Sequence, residues 1–193
     1  RRGLTNYFVL CSHKTMPAPM AALTADPELK VDGYLCPAHV SAIIGAQAYQ
    51  PLVEQFRIPC VVTGFEPLDV LQGVQMLASQ VVAGAARVET QYSRIVKPEG
   101  NKKAQALLAE VFEPCDAAWR GIGVIPASGL QLRPAYAAFN AELQLPVAVE
   151  EPKEHSGCQC GEILKGKISP RDCKLFRSAC TPESPIGACM VSS

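Results

Sequence analysis

Apolar residues fall into two rhythms along this chain. Short unbroken runs at 7–11 (YFVLC), 33–36 and 58–63 (IPCVVT) have the length and residue types of buried strands. Stretches with helical spacing lie between and after them. Residues 39–50 predict a helix that Pro51 breaks. Pro67 sits where a first helical residue belongs, and Val70, Leu71, Val74, Leu77, Ala78, Val81 and Val82 follow at helical period. A strand is predicted over 88–96 and a helix over 102–112, with Leu107, Leu108, Val111 and Phe112 on one face; a short apolar run follows at 123–126. This βαβα order predicts an α/β fold with a Rossmann-like parallel sheet, in one domain or two, and helices on the sheet faces. At 149–155 the pattern dissolves into a polar connection containing EEPKEH, and an irregular Cys-rich segment follows. The expected organisation is an α/β body over 1–148 and a Cys-rich segment over 149–193.

Composition narrows the classes. A chain of 193 residues with 48% hydrophobic content can bury one sizeable core, or a core with a small appendage. Eighteen basic residues balance eighteen acidic ones, so no global field favours nucleic acid or anionic lipid. No apolar run approaches the roughly 20 residues needed to span a bilayer, and no secretory leader pattern opens the chain. A reducing cytoplasm is the expected compartment. The chain lacks an initiator Met and reads as a fragment cut at both ends.

Chemistry concentrates in the tail. Five of the nine cysteines lie between Cys158 and the C-terminus, as Cys-x-Cys, twelve residues, Cys, six, Cys, eight, Cys. Gly and Pro punctuate this segment, so an irregular backbone can turn several thiolates toward one point, as soft metals, iron–sulfur clusters and dithiol switches require. Spacing favours iron–sulfur ligation and leaves two competitors: structural zinc, whose usual paired CxxC knuckles are missing, and a disulfide-stapled tail. Cys11, Cys60 and Cys115 stand isolated and read as small core hydrophobes.

In a parallel sheet, ligand-facing residues gather at the carboxyl ends of the strands. Three turns qualify: Cys11-Ser12-His13, Cys36-Pro37-Ala38-His39, and Gly64 through Asp69. Glu66 and Asp69 flank a helix start, where capping and the helix dipole explain an acidic residue as readily as a site does. His39 reads as a metal ligand, a general base or a polar first-turn residue, and the last is the commonest role of a lone His. No phosphate-binding loop or nucleophile elbow is present.

Together GYLCPAHVSAIIG (33–45), IPCVVTGFEPLDVLQG (58–73), EVFEPCDAAWRGIGVIPASGL (110–130) and the terminal GCQCGEILKG and CKLFRSACTPESPIGACMVSS resemble the HypD family, maturation factors of [NiFe]-hydrogenases. The resemblance implies two similar α/β domains facing a cleft and a C-terminal part carrying a [4Fe-4S] cluster. It implies action with a HypC-like small partner and a HypE-like cyanide donor on an iron that becomes Fe(CN)2CO. The family's N-terminal CGGHTH and GPGCPVC motifs do not occur here, so the iron-holding cysteines they contain are missing.

Carried over by position, the resemblance makes Cys158, Cys173 and Cys180 cluster ligands, with a fourth cysteine expected beyond Ser193, and makes Cys160 and Cys189 a redox dithiol beside the cluster. Cys36, His39, Glu66 and Asp69 would line or shape the surface where iron and the HypC-like partner meet. The implied role is an assembly scaffold with an electron-transfer part; the alternatives are a free-standing iron–sulfur disulfide oxidoreductase and a zinc-stabilised interaction module.

Overall fold

The computed structural model describes residues 3–145 and 155–190. Among these the chain groups into two compact units, Met16–Leu108 and the pair of segments Arg1–Thr15 and Ala109–Ser193. This division assigns residues 109–145 and the Cys-rich segment to one unit, whereas the sequence assigned 109–145 to the body. The polar connection expected at 149–155 lies outside the described residues except for His155.

Met16–Leu108 begins with helix α1 (Pro17–Thr24) and contains a three-stranded parallel sheet, in order β1 (Tyr34–Pro37), β2 (Cys60–Thr63), β3 (Val88–Thr90). Cys36 pairs with Val62, and Val62 with Thr90. The central strand is buried along its whole length, which its unbroken apolar run anticipates for a strand covered on both faces. Helices α2 (Ala38–Ile44) and α3 (Gln50–Phe56) follow β1, joined by a 3-10 turn, Ala46–Tyr49. Pro51 does not break a helix; it sits in the first turn of α3, where no backbone N–H is needed. Tyr49, Leu52, Cys60 and Val62 form the centre of this core.

Helix α4 (Pro67–Ala83) starts at the predicted proline. Its buried residues are Asp69, Gly73 and Gln80, and Gly73 lets it approach the sheet, since a Cβ there would stand 3.0 Å from that of Thr63. Leu71 and Val82, in the predicted apolar stripe, are 67% and 90% exposed. The strand expected over 88–96 ends at Thr90, because the residues after it turn back toward α4.

Helix α5 (Lys102–Val111) leads from one unit into the other. The second unit contains an antiparallel hairpin absent from the sequence reading, β4 (Phe112–Trp119) with β5 (Gly123–Leu132). A register shift between Cys115 and Ala117 interrupts it. Near the turn end, Trp119 Nε1 donates to Ser128 Oγ at 2.7 Å. The predicted first strand reduces to a single bridge, Val9 to Asn140, just before the short helix α6 (Ala141–Gln144). Further on, Lys14 bridges Gly129 of β5. In the Cys-rich segment, helix α7 (Cys160–Leu164) and 3-10 turns at Pro170–Asp172 and Ala188–Met190 are the regular elements. The fold is therefore α/β, with a parallel three-stranded sheet and an antiparallel pair.

Candidate functional site

At the carboxyl end of the parallel sheet, the four residues singled out by sequence take different positions. Cys36 is 1% exposed, inside the core rather than on a surface. Its thiol is pushed far up by hydrogen bonding with Cys60 on the neighbouring strand and by burial, so it stays protonated. His39 is exposed in the first turn of α2, with its ring 5.2 Å from that of Phe65. Glu66 is exposed at the start of α4 and makes no capping hydrogen bond.

Asp69 is the buried member, at 5% exposure. It does not cap its helix. Gln91 Nε2 donates to its Oδ1 at 2.9 Å and Arg94 Nη2 to its Oδ2 at 3.2 Å, while Thr63 Oγ1 donates to its backbone carbonyl at 2.9 Å. Burying a carboxylate requires such partners. Arg94 also lies over the Tyr92 ring at 3.9 Å. Gly64 closes the arrangement: a Cβ there would collide with the Asp69 carboxylate and stand 2.7 Å from Tyr92. Gln91, Tyr92 and Arg94 were hidden in the predicted strand. The polar residues Gln91, Ser93 and Arg94, with the aromatic Tyr92 among them, were the available signal that a turn begins there.

In the Cys-rich segment, sulfurs converge. Cys160, 2% exposed, opens α7, and its Sγ accepts the Cys189 backbone N–H at 3.0 Å. Cys189 is exposed as a residue, yet local desolvation, then hydrogen bonding with Cys160, pushes its thiol up to about 11; Cys158 and Cys180 lie close enough to add to the shift. Ile186 N–H donates to Cys180 Sγ at 3.2 Å. Gly187 packs between Cys158 and Cys160: a Cβ there would stand 2.8 Å from Cys158 Sγ and 3.0 Å from Cys160 Cβ.

The structure thus brings together Cys158, Cys160, Cys180 and Cys189. Cys173 follows the Pro170–Asp172 turn, its N–H donating to the Pro170 carbonyl at 3.2 Å. Thiols with backbone amides directed at them are the donor chemistry of thiolate-ligated clusters, so the residues fit such a group in kind. Among the described residues, no three Cys, His, Asp or Glu side chains are grouped so as to hold a metal ion. No described helix is long and apolar enough to cross a membrane.

Comparison with known proteins shows the family. The family described as "HypD: Hydrogenase formation hypA family" matches residues 1–193. The chain is 48% identical over 199 residues to the hydrogenase expression/formation protein HupD of Azotobacter chroococcum mcd 1, covering 100% of this chain and 52% of that protein. It is 46% identical to hydrogenase maturation factor HypD of Rhizobium leguminosarum bv. viciae, over 99% of this chain and 51% of the relative. Against HypD of Escherichia coli (strain K12) the identity is 43%, with 100% and 52% covered. The chain spans about half the length of the curated relatives it matches. With the family match and these identities, the chain belongs to the HypD family of hydrogenase formation proteins.

Proposed function

We propose that this chain is the part of a hydrogenase maturation factor that supplies a thiol redox pair next to a [4Fe-4S] site, and a docking surface at the carboxyl end of its sheet. The observation that carries the reading is the contact of Cys160 with Cys189 beside Cys158 and Cys180. Cys158, Cys173 and Cys180 would hold the cluster with a fourth cysteine beyond Ser193. When bound, a [4Fe-4S] cluster supplies electrons one at a time.

The chain's own residues do the rest. Cys160 and Cys189 exchange between a disulfide and two thiols, taking up two electrons and two protons on reduction. Cys189 is the exposed sulfur that a disulfide on another molecule meets, and the buried Cys160 closes the intramolecular bond behind it. The Cys189 N–H fixes the Cys160 sulfur in place for that step.

In the whole protein the parallel sheet would belong to a Rossmann-like domain. His39 and Glu66, exposed at the sheet's carboxyl end with Asp69 held beneath, would face a HypC-like partner and the iron cargo, which a HypE-like cyanide donor helps convert to Fe(CN)2CO. The compartment in this reading is the cytoplasm.

Iron and acid-labile sulfide per chain, with Mössbauer spectra, on protein purified without oxygen test the proposal. Cys158→Ala should lose the iron and Cys160→Ala should retain it. Equal iron in wild type and Cys158→Ala would overturn the assignment, and zinc in place of iron would favour an interaction module.

A further inference from the structure

The Cys11-Ser12-His13 turn takes no part in the function proposed above. The sequence places this turn among the ligand-facing ones and reads Cys11 as a core residue; the structure corrects the second reading. Cys11 is only half-buried, His13 is exposed, and Cys11 Sγ lies 3.1 Å from His13 Nδ1. We propose that Cys11 and His13 form a thiol–imidazole pair that reacts with a low-molecular-weight disulfide of the glutathione class, making Cys11 a covalent modification site.

The pair is held, not incidental. Residues two apart on an extended segment share a side, and hydrogen bonds pin this segment before and after the pair. Val9 N–H donates to Phe139 O at 2.7 Å, Leu130 N–H to His13 O at 3.0 Å, and Thr15 N–H to Ser128 O at 2.8 Å. The imidazole also packs edge-on against Phe112, with ring centroids 5.2 Å apart. Nucleophile and base are therefore within hydrogen-bond reach, with the base oriented by a third group, which is the arrangement that activates a thiol. Leu130 O, 3.0 Å from the same sulfur, competes for the thiol proton and holds the sulfur in place while it is protonated.

Other cysteines lack this combination. Cys36 and Cys60 are fully buried. Cys115 lies against Gly129 inside the hairpin. Lys14, exposed and next in sequence, adds a cation suited to the carboxylates of a glutathione-type disulfide.

The reaction balances without a further component. His13 Nδ1 takes the Cys11 proton, and the thiolate attacks one sulfur of the disulfide. A Cys11–S–S–R bond forms as the original S–S bond breaks, and the leaving thiolate takes the proton back from the imidazolium. Cys11 is oxidised and one half of the disulfide is reduced to a thiol.

The test treats the full chain with oxidised glutathione and measures modification of each cysteine by peptide mass spectrometry. Cys11 should form the mixed disulfide. His13→Gln removes the assisting base and should slow Cys11 by about tenfold or more. The rate at Cys189 should not change, and the Cys11 pH–rate profile of the variant should move to higher pH. An unmodified Cys11, or an equal Cys11 rate in wild type and His13→Gln, overturns the proposal. If His13→Gln lowers thermal stability, the wild-type rate below pH 8 decides: faster than free cysteine supports the pair, and equal to free cysteine overturns it.

Discussion

Arg94 places Nη2 3.2 Å from Oδ2 of Asp69, joining a half-exposed guanidinium in the turn after β3 to a buried carboxylate in the first turn of α4. With Gln91 on the other oxygen, this ties the carboxyl end of the sheet together across 25 residues of sequence. Asp69→Ala should therefore lower stability by about 1–3 kcal/mol, the cost of removing a hydrogen-bonded buried charge whose partners can then reach water. Asp69→Asn, which keeps an acceptor for Gln91, should cost less. Urea unfolding followed by circular dichroism measures both, and wild-type stability in Asp69→Ala would show the cluster to be ornamental.

This same cluster marks where sequence reading stopped. Pro67 and the apolar run behind it announced α4, and IPCVVT announced β2, because each is a local pattern with a local cause. The end of β3 had no local cause: residues after Thr90 leave the strand to satisfy Asp69, a partner far away in sequence. The hairpin was missed for a related reason. Pro114, Gly129 and the shift at Cys115–Ala117 blur the alternation of β4 and β5, and the pairing is made by contacts between strands. Cysteine density singled out the tail, and four of its five cysteines lie near one another there. Spacing could not tell that Cys189 would meet Cys160, since that depends on how Gly187 folds between the sulfurs.

Gly187 gives the second prediction. Its missing Cβ is the space that Cys158 Sγ and Cys160 Cβ occupy. Gly187→Ala should push Cys160 away from Cys189 and slow formation of their disulfide under mild oxidation, read by mass spectrometry of the linked peptides. Linkage at the wild-type rate would mean that the segment adjusts freely around a methyl group. Glycine's absence of a side chain, not its backbone freedom, is at issue, because φ at this position is not in the left-handed region.

A third prediction concerns Gln80, 1% exposed near the end of α4. Its Oε1 accepts the Arg87 N–H at 2.9 Å, and its Nε2 donates to Glu89 Oε2 at 2.6 Å. Gln80→Leu keeps similar bulk but leaves the Arg87 N–H and a Glu89 oxygen without this partner. The expected loss is about 1–3 kcal/mol, seen as a lower urea midpoint with an unchanged slope. No shift in the midpoint would mean that water replaces the side chain at both groups.

The last prediction follows from the Cys189 thiol, raised from an ordinary 9.0 to about 11 by desolvation and then by Cys160. Folding raises its proton affinity, so the contribution of this group to stability is complete below pH 9 and is lost as pH rises through about 11. Reactivity follows the same titration. Site-resolved alkylation of Cys189 by iodoacetamide should keep accelerating from pH 8 to about 11, where an unperturbed thiol would already level off. Cys160→Ser removes the neighbouring sulfur and should bring the Cys189 inflection down toward 9, though not fully, because desolvation is the larger cause. A wild-type profile that levels off near pH 9 would mean that the Cys189 sulfur is fully hydrated and free of Cys160. The proposed redox pair would then lose its structural basis, since two sulfurs that do not perturb each other are not poised to close a disulfide.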